Sequence, residues 1–269
     1  MQHNHRAAST LQLQGEMDAY IRAGEQFRMS SSQLDAAKAY QAAALISSEK
    51  LKNPGNAALL YTEAALCLEK LDSSLAVAPL SSAVSQYCNS SEYDNAASTE
   101  RRLATIHEMN TEWESSIEHY RRAAKLSLKG NFSVDMLERV ALLLERKGHY
   151  LEASPVYRDL AFSCAAGELN RFEVPSYVLR GGILLLAHGG DTLQVQELSR
   201  EACAFDCRVG SSGELSFLND LCDCVTSKDI NAFADSLYSY NGMHELGSET
   251  LAALDKIKDL VLMCGTTSR

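Results

Sequence analysis

The chain has 269 residues, with 35 Asp or Glu against 25 Lys or Arg, a formal net charge of −10 that disfavours a general nucleic-acid binder. Apolar residues make up 46% and aromatics 7%, ordinary for a folded globular chain. No apolar run approaches the roughly 18 residues that a membrane-spanning helix needs.

The opening MQHNHRAASTLQLQG is polar and lacks an apolar signal core, so residues 1–12 are expected to be frayed or disordered. A first helix is predicted from about Gly15 to Met29. Ser30-x-x-Gln33 has the spacing of a capping box and starts a second helix through about Leu51. Asn53-Pro54-Gly55 reads as a turn. The next pair is about Ala57–Leu71 and Ser74–Asn89. Pro79 lies inside the second of these, where a bend is expected because proline lacks the N–H that a helix interior uses. A third pair follows, about Ala97–Met109 and Thr111–Lys125. Thr111-x-x-Glu114 is again a capping-box spacing, and Trp113, Ile117, Tyr120 and Ala124 form one apolar stripe. The third pair ends near Lys129-Gly130. Ser133–Arg146 and Tyr150–Ala165 form a fourth, with Gly148 at the turn. Gly167–Val174 reads as a longer loop, and Pro175 suits the first position of the next helix. That helix reaches Ala187 and its partner covers about Thr192–Phe205, separated by Gly189-Gly190-Asp191. After Gly210-Ser211-Ser212-Gly213 come helices at about Glu214–Thr226, Asp229–Tyr238 and Leu246–Leu262.

These pairs repeat. Tyr40, Leu80, Tyr120, Tyr157 and Leu198 occupy matching places in the second helices, at steps of 40, 40, 37 and 41. Ala23, Ala64, Ala104, Ala141 and Gly182 do so in the first helices, at steps of 41, 40, 37 and 41. A small residue lets the partner helix approach, and a large one fills the groove. The fold class expected is all-α: a tetratricopeptide-like, right-handed α-solenoid of antiparallel helix pairs over residues 13–209, closed by a C-terminal helical cap over 210–269.

Chemistry-bearing patterns are sparse. The phosphate-cradling motifs GxxxxGK[ST] and GxGxxG, the GxSxG elbow and HExxH do not occur. His107 and His119 read as satisfied or solvated helical histidines. Eight cysteines are scattered without a CxxC. The cluster Cys203, Cys207, Cys222 and Cys224 fits no common zinc module, so reduced, mostly buried thiols are expected and no metal or cofactor. Charge is uneven: residues 101–147 carry nine Lys/Arg against seven Asp/Glu, and residues 201–269 carry five against eleven. A basic middle and an acidic end suggest two different partners. The expectation is a binding scaffold rather than an enzyme.

The segments AGEQFRMSSSQLDAAKAYQAAA, AASTERRLATIHE, SIEHYRRAA and LERVALLLERKGHYLEA resemble the soluble NSF attachment proteins, in order and spacing from about Asp18 to Val261. KIKDLV at Lys256–Val261 is similar to the terminal helix of the alpha/beta type rather than the gamma type. The resemblance implies a twisted sheet of helix pairs with a C-terminal bundle. It implies several copies wrapping a four-helix SNARE complex through a basic inner face, and a C-terminal part that recruits the hexameric ATPase NSF. It also implies a cytoplasmic protein, peripheral on vesicle, Golgi or ER-type membranes. A generic peptide-tail scaffold of tetratricopeptide type is the alternative.

Carried over residue by residue, the resemblance places SNARE contacts at Arg139, Arg171 and Arg180. Asp135 and Pro175 stand at other positions where the family has basic residues, and Arg101 and Arg102 could compensate, as could Arg121 and Arg122. For the ATPase it places contacts at Asp191, Asp223, Lys256, Ile257 and Lys258. Thr226 and Ser227 stand where the family has glutamates, and Met263–Arg269 replaces its acidic tail. The family's hydrophobic membrane loop has a short, polar counterpart before Asp18, so either membrane attachment is expected to come through the SNAREs or the chain is a shortened form.

Overall fold

A computed structural model describes residues 2–127, 130–167, 170–242, 244 and 246–265. The helices are α1 (Gln2–Met29), α2 (Gln33–Leu45), α3 (Pro54–Glu69), α4 (Val77–Asn89), α5 (Tyr93–Met109), α6 (Trp113–Leu126) and α7 (Gly130–Arg146). They continue with α8 (Tyr150–Ala166), α9 (Val174–Gly189), α10 (Thr192–Phe205), α11 (Gly213–Ser227), α12 (Ile230–Asn241) and α13 (Ser248–Gly265). The fold is all-α, with no strand among the described residues. Lys129, residues 168–169 of the predicted loop and residues 266–269 of the C-terminal segment lie outside them.

Several sequence expectations change in detail. The first helix runs back to Gln2 instead of starting near Gly15, so the segment read as frayed is helical from residue 2. Its Ala, Leu, Gln and Arg content favours helix, and neither Gly nor Pro precedes Gly15. Its described residues Ser9–Gln12 are exposed, so packing is not what holds that stretch. The second helix ends at Leu45 and passes into a π-helical turn, Ile46–Lys50. Pro79 causes no break: a 3-10 turn, Ser73–Ala76, precedes α4, and Pro79 is that helix's third residue. The missing N–H falls among the first-turn donors that a helix leaves unbonded anyway.

Neither expected capping box forms. Ser31 and Thr111 adopt the left-handed conformation, with φ of 63° and 61°, and the helices start two residues later without a side-chain cap. The turn instead satisfies the preceding helix. Thr111 N–H donates to the Glu108 carbonyl at 3.1 Å and Glu112 N–H to the His107 carbonyl at 2.9 Å, the two bonds of a Schellman motif. The same pair of bonds closes α1 at Ser31, α4 at Ser91 and α7 at Gly148. Only the last of these uses glycine, the residue that pays no Cβ penalty there. Side-chain caps occur elsewhere: Asn53, Asp191, Ser212 and Asp229 accept from backbone N–H groups at the starts of α3, α10, α11 and α12.

The large anchors Tyr40, Leu80, Tyr120, Tyr157 and Leu198 are all buried. Ala64, Ala104 and Ala141 are fully buried opposite them in the repeat, but Ala23 is partly exposed. The buried small residue of the first pair is Gly24, where a Cβ would come within 3.0 Å of the Tyr40 ring. With Gly24 in place of Ala23, both sets of anchors step by 40, 40, 37 and 41.

The chain forms two compact units, Met1–Ser133 and Val134–Arg269. This boundary falls inside α7, not at the expected 209/210 break. In the first unit each of α1 to α6 packs on its neighbours in sequence, the one-dimensional stacking of helix pairs. Its core is rich in alanine, including Ala36, Ala43, Ala64, Ala65 and Ala104, all fully buried. In the second unit α9 touches α8, α10, α11 and α13. Helix α9 is correspondingly apolar on nearly all sides, and Gly182 lies so close to α11 that a Cβ would meet Leu218 at 2.5 Å.

Candidate partner-binding surfaces

The candidate cationic residues lie in three different settings. On α5, Arg101 is exposed with its guanidinium 5.4 Å above the Phe132 ring. Its neighbour Arg102 turns to another face and donates to Glu69 at 2.7 Å, both side chains about a quarter exposed. In the second unit Arg139 of α7 is exposed. Arg171, in the 3-10 turn before α9, is exposed beside Phe172, which is 73% exposed, and donates to the Gly167 carbonyl.

Arg180 is the exception. Its guanidinium donates to Glu145 at 2.9 Å and lies 4.7 Å over the Tyr157 ring. Glu145 is buried, with 1% of its side chain exposed, and also accepts from Tyr157 Oη at 2.7 Å. A buried carboxylate needs such donors, because removal from water penalises its charge. The same neighbourhood pushes the Tyr157 phenol far above its ordinary range, chiefly by burial, with Glu145 adding to the effect. Burial also raises the Glu138 carboxyl, which Arg180 and Arg139 pull back down while Glu173 and Asp135 raise it further. Arg139 and Arg180 thus both act electrostatically on Glu138, while the carboxylate that Arg180 bonds is Glu145. Arg171 instead acts on Asp206, whose carboxyl is lowered to about 2, first by its hydrogen bond from Arg208.

The Tyr157–Glu145 bond has a counterpart one repeat earlier. Tyr120 Oη donates to Glu108 at 2.9 Å, again from the second-helix anchor to the residue four beyond the first-helix anchor. At the matching place of the first pair stands Arg28, which pairs with Glu63 at 3.0 Å. The Tyr and Glu positions were legible in the repeat alignment, and sequence reasoning missed the pairing.

Of the C-terminal candidates, Asp191 spends its carboxylate on the start of α10, accepting from Gln194 N–H and Nε2 at 3.0 and 2.8 Å, and stays exposed. Asp223 on α11 is exposed. Lys256 and Lys258 on α13 are exposed, with Lys256 Nζ 4.4 Å over the Tyr150 ring. Ile257 between them is fully buried, so it belongs to the core and is no surface contact. On a helix, successive residues point about 100° apart, and one of three must face inward here.

His107 and His119 stack with ring centroids 5.0 Å apart and planes within 4°. Each Nδ1 meets a carboxylate, Glu112 at 2.6 Å and Glu100 at 2.5 Å. They pin α5 to α6. Among the described residues no group of three His, Cys, Asp or Glu could hold a metal ion. Cys67, Cys164, Cys222 and Cys224 are buried, and burial pushes the Cys222 thiol up to about 11, away from the reactive thiolate. No described helix is long and apolar enough to cross a membrane.

The family model for the soluble NSF attachment protein matches residues 7–261. The chain belongs to that family. Three fungal proteins are similar to it. It is 26% identical over 254 residues to the probable vesicular-fusion protein sec17 homolog of Neurospora crassa, covering 91% of this chain and 85% of that one. It is 23% identical over 222 residues to the alpha-soluble NSF attachment protein of Saccharomyces cerevisiae, covering 79% and 74%. A 114-residue stretch is 27% identical to the sec17 homolog of Schizosaccharomyces pombe, covering 42% and 39%. The name of the Saccharomyces cerevisiae relative is of the alpha type.

Proposed function

We propose that this family member is a non-enzymatic adaptor that binds assembled SNARE complexes and recruits the ATPase NSF for their disassembly in vesicle trafficking. The observation that carries the reading is the family match across residues 7–261. It is supported by the solvent exposure of Arg101, Arg139 and Arg171, which puts guanidinium groups within reach of an acidic helical rod. Arg102 and Arg180 are already engaged by carboxylates, so their contribution requires an exchange of partners. Asp191, Asp223, Lys256 and Lys258 present charge to the ATPase, and Ile257 supports α13 from beneath. The protein acts in the cytoplasm, peripheral to membranes through the SNAREs.

The test is capture of an assembled four-helix SNARE complex, with and without NSF, at low and moderate salt. Salt-sensitive capture that then retains NSF is expected, weakened by charge reversal at Arg139 and Arg171. Exposed ion pairs are screened over about 10 Å at 0.1 M salt, so moderate salt should reduce capture visibly. Capture of short peptides but not of the assembled bundle would overturn the reading.

A further inference from the structure

Glu145 and Arg146 are consecutive residues at the end of α7, and they grip two consecutive residues at the start of α13. Arg146 donates to Glu249 at 3.2 Å. Thr250 Oγ1 donates to Glu145 at 3.5 Å, a long bond between two buried side chains. Glu145 is also the carboxylate that holds Arg180. One buried anion thus has three donors: Tyr157 of α8, Arg180 of α9 and Thr250 of α13. Only one of the three carries a positive charge. Arg180 is in turn incompletely satisfied, because its Nε is buried and finds no hydrogen-bond partner among the described residues. About a quarter of its side chain, 23%, still reaches solvent. A cavity of about 360 Å³ lies alongside, lined by Arg180, Leu179, Glu249 and Thr250 among others, and leaves the start of α13 room to shift.

We propose that Glu145 couples the two binding surfaces: the carboxylate that aims Arg180 also seats the start of α13, so that occupation of Arg180 by an acidic partner loosens that helix. The coupling rests on the adaptor reading for its biological meaning and on the geometry alone for its existence. An incoming carboxylate draws the guanidinium outward. Glu145 then loses its only cationic donor among the described residues while remaining buried, and the α7–α13 junction relaxes to let water reach it. Linkage makes the effect reciprocal, so whatever engages the loosened start of α13 binds better once Arg180 is occupied. Glu145 acts as a positioning residue in this scheme and touches neither partner.

The test is hydrogen exchange of the amides of residues 248–262 in the full chain, in Arg180→Met, in Glu145→Gln and in the double variant. Arg180→Met is expected to speed exchange about tenfold when Glu145 is present and to have little effect once Glu145→Gln is also in place, the non-additivity of directly coupled residues. Equal effects in both backgrounds overturn the proposal. Thr250→Val cuts only the α13 side of the carboxylate and keeps the Arg180–Glu145 pair. It is expected to abolish the response of α13 to Arg180→Met, and a retained response overturns the coupling. In the partner arm, an assembled SNARE bundle should speed α13 exchange in the full chain but not in Glu145→Gln. A bundle that is captured yet leaves α13 unchanged overturns the coupling. A bundle that is not captured at all overturns the adaptor reading instead, and the variant cycle still decides the coupling.

Discussion

The two compact units use the same Tyr–Glu contact and give it different consequences. In residues 1–133, Tyr120 bonds Glu108, a carboxylate that remains partly in contact with solvent. In residues 134–269 the equivalent Tyr157–Glu145 bond is sealed, and Arg180 must accompany it. The surroundings explain the difference. The first unit is a linear stack, where each helix keeps a side open to water. In the second, α9 is surrounded by α8, α10, α11 and α13, and Glu145 in that unit keeps only 1% of its side chain exposed. A repeat-encoded pair is therefore a surface detail in one place and a buried charge network in the other.

The largest effect should come from removing the two glutamates. Glu145→Ala is expected to destabilise the chain by about 3 kcal/mol, the low end for breaking a buried pair because Arg180 can turn to solvent. Glu108→Ala should cost about 1 kcal/mol or less, as for a partly solvated hydrogen bond. Thermal unfolding of the two variants checks the contrast, and equal losses would show that the burial of Glu145 carries no weight.

Glycine substitutions sharpen the comparison further. Gly182→Ala places a methyl where Leu218 already stands at 2.5 Å, and Leu218 is fully buried. An overpacking loss of about 2 kcal/mol is expected. Gly24→Ala meets the Tyr40 ring at 3.0 Å near the open end of the linear stack. There the gain in helix propensity, about 1 kcal/mol, offsets the crowding and the net change should be small. Denaturant midpoints for the two variants decide this.

A smaller, favourable effect is expected at the shared turn. Thr111 is β-branched and holds φ of 61°, whereas Gly148 fills the same role in the second unit. Thr111→Gly should stabilise by about 1 kcal/mol by relieving the left-handed strain, less the flexibility it adds to the unfolded chain. A fall in melting temperature would show that the Thr111 side chain makes a compensating contact.

The smallest effect is electrostatic. Asp206 is held at about 2 by Arg208, below its ordinary value, so its contribution is present above the ordinary aspartate range and lost as pH falls toward 2. Arg208 is solvent-exposed, so the contribution is modest. Titration of the Asp206 carboxyl by NMR should give a value near 2, and Arg208→Gln should return it toward the usual aspartate range. A titration near 4 in the parent chain would remove the pair from the account.

Much of this molecule was legible in the amino-acid order. Helix count, pairing and the spacing of the large anchors follow from periodic burial, since an apolar stripe has to meet another. The buried small partner was misplaced by one residue in the first pair, because Ala23 and Gly24 are both small and only the approach of Tyr40 distinguishes them. The capping boxes were misread because Ser and Thr can cap a helix or take a left-handed turn, and the preceding helix's unpaired carbonyls decided between the two. Arg101 and Arg102 looked alike in sequence, yet one is exposed and the other is bound to Glu69.

By itself, then, the sequence determined the helix pairs, their step and the family to which they belong, because these depend on local periodicity and on which residues can be buried. Only the tertiary structure decided which charges are available. Whether Arg180 faces a partner or holds Glu145, and whether Ile257 is surface or core, depends on helices distant in the chain closing over them. Solvent exclusion is a property of that closure, and it is what turns an ordinary glutamate into the centre of a network.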